Sequence, residues 1–204
     1  MSIGTKHGVN FSQITFEPPV DQSYKLGYTG GLVIKYQSDK HAGVQAEFNF
    51  SQRGWSESLD SGKAYSRTLN YFEIPVLSHF VFGRKNSKII INLGPNLSFY
   101  TSQKEEMKAL QSYDMQLYYQ RKPDREFELG LTGGLGYLQK TILGDFQLEG
   151  RFHYGLQSVF NNDLSTDLGK SQSLLYSVTL TYFFVVKDFK KGKKNEKVIN
   201  QKLD

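Results

Sequence analysis

Alternation of apolar and polar residues with a period of two runs through most of this chain and restricts it to β-structure. In residues 41–52 one parity is polar, and the other is apolar and consists of Ala42, Val44, Ala46, Phe48 and Phe50. Because successive side chains of a strand point to opposite faces, this pattern predicts a strand with one apolar face. Residues 145–158 and 172–186 show the same alternation.

The alternating stretches and their connections together predict a topology. The stretches lie at about 2–13, 25–38, 41–55, 67–83, 88–101, 126–140, 145–158 and 172–186. Apart from part of 102–118, no window shows the 3.6-residue period of a helix. Short connections alternate with long ones, and the long ones are 14–24, 56–66, 102–125 and 159–171. We therefore predict an all-β fold, an eight-stranded antiparallel up-and-down barrel.

Charge placement indicates which face of the barrel points outwards. The apolar parity carries no Asp, Glu, Lys or Arg within the strands, and His7 is its one titratable residue. The polar parity is also poor in charge, whereas the outer face of a soluble barrel would display many Lys and Glu. The strands reach the roughly 9–11 residues that cross a bilayer, and aromatics such as Tyr36 and Phe80 gather near strand ends. These features predict a transmembrane barrel, with a soluble ligand-binding barrel as the alternative.

Glycine and proline occupy particular positions in these strands. LGYTGGL at 26–32 is nearly repeated by LGLTGGL at 129–135, and alternation turns two glycines of each segment inwards, where a narrow lumen needs small residues. A phosphate-binding loop is excluded because no Lys-Ser/Thr pair follows. The repeat fits either duplication of a four-strand unit or chance similarity between strands. Pro75 and Pro95 predict a bulge or a local break in the ladder.

Polar residues of the inward parity are the first candidate site. We predict a hydrogen-bonded charge network in the lumen, in place of an apolar core, made by Lys35, Glu47, Glu73, Glu128, Glu149 and Arg151. Lys6, His79 and His153 share the inward parity. A catalytic Glu149–His153 pair is disfavoured, because residues four apart in a strand are separated by about 13 Å. With no cysteine and no clustered histidines, we expect no metal site, no cofactor, no catalytic residue and no enzymatic activity.

The long connection 102–125 is the second candidate site. Among its charged residues it carries apolar and aromatic side chains, namely Met107, Leu110, Met115, Tyr118 and Tyr119. Such side chains on a loop held by a rigid scaffold are candidate partner contacts. The alternative is that they fold over the barrel mouth as a lid.

The net charge of +5 is concentrated at the C-terminus. Residues 187–204 hold seven Lys and three acidic residues, whereas residues 1–186 hold 18 basic and 17 acidic ones. This distribution argues against a nucleic-acid partner and divides the chain into a barrel, 1–186, and a basic tail, 187–204, which we expect to be disordered. An even number of strands places the tail in the periplasm beside the N-terminus. The opening MSIGTKHGVN lacks the apolar segment of a secretory signal, so an exported chain would be in its mature form.

Four segments carry a resemblance to a known family: GTKHGVNFSQI, NYFEIPVLSHFVFG, NLGPNLSFY and LGLTGGLGYLQK. Together they resemble the PorT family of outer-membrane β-barrel domains, common in Bacteroidota, over nearly the whole chain before the tail. The resemblance implies an outer-membrane location and, through the family's namesake, a link to type IX secretion and gliding.

The expected function is a structural or accessory role that involves outer-membrane lipid and another envelope protein. The alternative is an outer-membrane enzyme acting on lipid or peptide. A Ser, a His and a carboxylate within hydrogen-bonding reach of one another would favour that alternative.

Overall fold

The computed structural model of the chain describes residues 1–16, 22–59, 63–108, 125–157 and 171–184. Within these ranges, eight antiparallel strands follow one another around a closed barrel, and the first pairs with the last. The strands are β1 Ser2–Phe16, β2 Gln22–Gln37, β3 Ala42–Leu59, β4 Lys63–Arg84, β5 Ser87–Lys108, β6 Phe127–Lys140, β7 Asp145–Gly155 and β8 Ser171–Phe183. The predicted eight-stranded up-and-down barrel is therefore confirmed. No helix long and apolar enough to cross a membrane occurs in these ranges.

The first five strands are longer than the alternation indicated. β3 and β4 continue until only residues 60–62 separate them, so the predicted long connection 56–66 is wrong. β5 continues to Lys108, so 102–108 is neither loop nor helix. This part of β5 is held by β4, which pairs as far as Ala64↔Lys108, whereas pairing with β6 ends at Phe99↔Phe127. Its sequence alternates poorly because the strand extends past the barrel wall, where neither face has to be apolar.

The two faces of the barrel have opposite chemistry. Leu148 is 52% exposed on the outside, and its neighbour Glu149 is 1% exposed on the inside. The same contrast holds along β3, where Phe48 and Phe50 point outwards and Glu47 and Asn49 are buried. The outer wall is therefore apolar, as predicted, and a soluble ligand-binding barrel is excluded because such a surface cannot face water.

Aromatic side chains mark both ends of the apolar wall. Near the short turns, the Phe146 and Tyr182 ring centroids lie 5.1 Å apart, and near the opposite end those of Phe99 and Phe127 lie 5.5 Å apart. Aromatic girdles at these two levels are typical of bilayer interfaces. The outward-facing His7 does not stand alone, since its Nδ1 lies 2.7 Å from the Tyr28 hydroxyl.

The prolines break the ladder without shifting it. Between β4 and β5, pairing stops at Pro75↔Asn96 and resumes at Ser78↔Leu93 in the same register. The unpaired positions of this gap include Pro95, and a second gap, between β3 and β4 from Ala46↔Val76 to Asn49↔Glu73, includes Pro75. A local break, one of the two predicted outcomes, therefore occurs at each proline, because proline has no amide hydrogen to donate. The register shift of the β4–β5 pair lies elsewhere, between Asn70 and Tyr71.

Candidate functional site

The interior of the barrel is filled in layers. Near the short turns, an apolar cluster of Val81, Ile90 and Leu138 is almost completely buried. Above it lie two groups of charged side chains. At the far end Trp55 and Tyr65 are buried, with ring centroids 6.2 Å apart. The lumen is therefore a packed core rather than a channel.

The first charged group is centred on Arg151 of β7. Its guanidinium donates to Glu47 of β3 through Nη1 at 2.8 Å and Nη2 at 2.5 Å. It also donates to Glu149 through Nε at 2.8 Å and Nη2 at 2.9 Å. Lys6 Nζ lies 2.6 Å from Glu47 Oε2. Two carboxylates and two cations thus neutralise one another, and we call these four side chains the Arg151 cluster.

The second charged group is centred on Arg53 of β3. Its Nε donates to Glu73 Oε1 at 2.9 Å, and its Nη1 donates to Glu128 Oε1 at 3.0 Å. Glu128 also contacts His153 Nε2 at 3.3 Å and accepts a hydrogen bond from Ser173 Oγ at 3.0 Å. The Arg53 guanidinium lies 4.9 Å from the Tyr71 ring centroid, which adds a cation–π contact. We call this group the Arg53 cluster.

Five of the six residues predicted for the lumen network lie in these two clusters, and Lys35 does not. Its Nζ lies 3.7 Å from the centroid of the Phe183 ring and has no hydrogen-bonding partner among the described residues. The placement of Lys35 in the network was therefore wrong. Parity turned Lys35 inwards, but its height near the short turns sets it against the apolar end of the lumen.

Two arginines of the interior were missed from the sequence. Arg53 shares the inward parity of Glu47 and Ser51, so the alternation in β3 already contained its signal. Arg67 lies on β4 near the open end, 2.6 Å from Gln103 Oε1 and 3.5 Å from Glu105 Oε1. Partial burial raises the pKa of the Glu105 carboxyl, and Arg67 opposes that shift. Only the β4–β5 register shows that Arg67 lies beside Gln103 and Glu105, because the sequence predicted both of these residues to be in a loop.

The predicted partner contacts are not brought together by the described part of the structure. Met107 belongs to β5 rather than to a loop. Leu110, Met115, Tyr118 and Tyr119 lie outside the described residues, as does the tail 187–204. For these positions the sequence-based predictions stand as predictions.

A small cavity separates the two charged clusters. Its volume is about 20 Å³, and its lining includes Asn10, Asn49, Asn96 and Thr132. The side-chain oxygens of these three asparagines have no hydrogen-bonding partner among the described residues. A volume of this size accepts about one water molecule and no larger ligand. Where the structure describes the chain, no group of three or more His, Asp or Glu side chains is placed to hold a metal ion.

One arrangement in the lumen has the order of a catalytic relay. Thr132 Oγ1 lies 3.0 Å from His153 Nδ1, and His153 Nε2 lies 3.3 Å from Glu128 Oε1. A hydroxyl, an imidazole and a carboxylate in sequence can activate a nucleophile. Here all three side chains are buried, and the adjoining cavity is the 20 Å³ space described above. The same contacts also satisfy every member of the relay as packed polar groups.

A closed eight-stranded barrel with an apolar, aromatic-bordered wall and a polar, filled interior defines the class of small outer-membrane barrels. The profile of the family described as outer membrane protein beta-barrel domain matches residues 1–161. The chain belongs to this family, and its location is the outer membrane. A comparison with curated protein sequences found no match.

A comparison with solved structures found similar outer-membrane proteins. OprG from Pseudomonas aeruginosa is 11% identical, with a TM-score of 0.52 over 91% of this chain and 96% of its own. Ail, the attachment invasion locus protein of Yersinia pestis, is 13% identical, with a TM-score of 0.45 over 90% of this chain and 98% of its own. The outer membrane enzyme PagL is 11% identical, with a TM-score of 0.44 over 88% and 97%. At these identities the similarity concerns the fold alone.

Proposed function

We propose that this protein is a non-enzymatic, non-conducting barrel of the outer membrane that serves as a structural or accessory subunit and binds another envelope protein. The observation that carries the proposal is the filled lumen. The apolar cluster near the turns, the two charged clusters and the Trp55–Tyr65 pair occupy successive levels, and the cavity between the charged clusters measures about 20 Å³. A barrel that neither conducts nor holds a ligand inside acts through its wall, its rims and its connections.

The finer assignment that we propose is the PorT type, in a Bacteroidota envelope, as an accessory of secretion. Its support is the four sequence segments, which fall on β1, β4, β5 and β6. PorT's own link to type IX secretion makes a secretion complex the first place to look for a partner. The connection 109–124, with Met115, Tyr118 and Tyr119, is the surface that we propose for that contact.

We also propose that both termini and the short turns face the periplasm. The connections at 38–41, 85–86 and 141–144 are short and lie at the end of the barrel where β1 begins. Outer-membrane barrels have short periplasmic turns and longer extracellular connections. This orientation places 109–124 outside the cell and the tail 187–204 in the periplasm.

Two measurements on the full chain test the proposal. In planar bilayers we expect no steady conductance, because the lumen is filled, and an ion-selective pore would overturn the non-conducting role. From native membranes in mild detergent, we expect a stable envelope partner to co-purify. Serine replacements at Met115, Tyr118 and Tyr119 should release the partner and leave the barrel folded. Unchanged recovery of the partner would place the contact elsewhere.

The relay of Thr132, His153 and Glu128 is the one observation that favours an enzyme as a second candidate. Its burial argues for a structural role. The discriminating variant is Thr132→Val, which keeps the side-chain shape and removes the hydroxyl. If the purified protein hydrolyses lipid or peptide and Thr132→Val abolishes that activity, the protein is an enzyme. We expect no such activity.

A further inference from the structure

The turn between β6 and β7, residues 141–144, projects two apolar side chains into its surroundings. Ile142 is 100% exposed and Leu143 is 78% exposed. The turn itself is firmly held, since the backbone amide and the hydroxyl of Thr141 both donate to the Gly144 carbonyl, at 2.9 and 2.6 Å. The Tyr182 hydroxyl donates to the Leu143 carbonyl at 2.6 Å. A rigid turn that presents Ile and Leu to water would be unfavourable, so this surface is suited to an apolar ligand.

A groove runs beside this turn. It measures about 590 Å³ and is lined by Asn86, Lys140, Thr141, Ile142, Leu143 and Phe146. Its second wall is the β4–β5 turn, which is fixed alongside because the Lys140 amide donates to the Asn86 carbonyl at 2.8 Å. Phe146 belongs to the aromatic girdle, so one side of the groove continues into the level of the acyl chains and the other opens at the level of the headgroups.

Charge at this rim is unbalanced in favour of cations. Among the described side chains near the turns, six are Lys or Arg and two are Asp, namely Lys35, Lys40, Arg84, Lys85, Lys88 and Lys140 against Asp39 and Asp145. At the opposite rim, the described side chains include four of each sign, namely Lys25, Arg67, Lys104 and Arg125 against Glu57, Glu105, Glu106 and Glu126. Lys85 is exposed at the tip of its turn, where its backbone has a positive φ of 55°.

We propose that the groove between the β4–β5 and β6–β7 turns is a binding site for an anionic glycerophospholipid. The acyl chain packs against Ile142, Leu143 and Phe146, and the phosphate lies between Lys140 and the β4–β5 turn with Lys85. Apolar contact combined with basic side chains at the headgroup level is the chemistry that selects an anionic lipid over a zwitterionic one. The site rests on the proposed orientation in one respect, because orientation decides which leaflet supplies the lipid. The orientation itself is tested separately by protease access.

The test is native mass spectrometry of the purified full chain in detergent, with phosphatidylglycerol or phosphatidylcholine of identical acyl chains added. We expect phosphatidylglycerol to be retained in clear preference. Lys140→Gln and Lys85→Gln should each lower its retention about fivefold, the factor that corresponds to about 1 kcal/mol per basic group near an anionic surface. Ile142→Ser should lower the retention of both lipids. Lys104→Gln, a 73% exposed lysine of the opposite rim, is the matched control and should change neither.

Three outcomes would overturn the site. Equal retention of the two lipids would show that the basic groups do not select the headgroup. An equal loss in Lys104→Gln would mean that net charge matters and position does not. If lipid A, added in place of phosphatidylcholine, is retained in preference to phosphatidylglycerol, the groove binds a different lipid. None of these results depends on conductance or on the envelope partner, so the lipid site and the proposed function can fail independently.

Discussion

Arg151 of β7 and Glu47 of β3 meet inside the barrel through two nitrogen–oxygen contacts of 2.8 and 2.5 Å, although they are 104 positions apart in the chain. The strands that carry them are not neighbours in the barrel, so this pair ties opposite sides of the wall together. Both side chains are buried, and Arg151 simultaneously holds Glu149. Removing one partner of a buried ion pair is costly, because the other charge then stays buried without its counter-ion.

Replacing Arg151 by Gln should strongly destabilise the barrel. The change leaves Glu47 and Glu149 buried without their shared cation, at an expected cost of about 3–5 kcal/mol. Unfolding by urea in lipid vesicles, followed by the fluorescence of Trp55, the one tryptophan of the chain, measures the difference. Lys104→Gln, which breaks an exposed ion pair with Glu106, should change stability little, because exposed ion pairs are screened by water. Equal effects of the two changes would show that the cluster does not stabilise the fold.

An arginine on the outer wall should hinder membrane insertion, and the effect should be larger the closer the position lies to the bilayer midplane. Leu148 lies on the wall and is 52% exposed there, so Leu148→Arg should cost about 2–4 kcal/mol. Ser38→Arg at the β2–β3 turn, outside the apolar wall, is the control and should cost about 0–1 kcal/mol. Folding into liposomes is read from the mobility of unheated samples on gels. Normal insertion of Leu148→Arg would contradict the assignment of that face to lipid.

Alanine substitution at the two neighbouring glycines of LGLTGGL should have different effects on the stability of the barrel. A Cβ at Gly133 meets only Leu93 Cδ1, at 3.5 Å, so Gly133→Ala should be neutral or slightly stabilising. A Cβ at Gly134 would overlap the Glu149 carboxylate and lie 3.0 Å from Arg151 Cγ, so Gly134→Ala should cost about 1–3 kcal/mol. Thermal unfolding of the two variants, measured side by side, decides the point. If Gly133→Ala is the more damaging change, the lumen is not what requires glycine here.

Protease access tests the proposed orientation. The tail after Lys187 is rich in lysine, so trypsin added to intact cells should spare it and should cut it once the outer membrane is opened. Truncation after Lys187 should leave the barrel folded, because every strand of the closed barrel precedes that residue. Cleavage in intact cells would show that the barrel is inverted and that the short turns face outwards.

The alternation of residues determined the strand count, the order of the strands and the face that each side chain takes. Val44, Phe48, Leu148 and Val178 could be assigned to the outside, and Glu47, Glu73 and Glu149 to the inside, because a strand has a period of two whatever its neighbours are. The same alternation also assigns Arg53 to the inside, because it shares the parity of Glu47. Strand ends were less well determined, since Lys104 and Glu105 extend past the wall, where neither face is constrained to be apolar.

The tertiary structure alone decided which inward groups meet. Parity places Lys35 and Lys6 on the same face of the wall, yet Lys6 reaches Glu47 and Lys35 lies against Phe183. Height along the barrel and contact across the lumen depend on strand register and on closure of β1 with β8, and both arise from pairings between residues that are distant in the chain. A local sequence pattern does not determine which strands pair, in which register, or which inward side chains meet across the lumen. For the same physical reason, the groove that joins the β4–β5 and β6–β7 turns became visible only once β5 and β6 were paired.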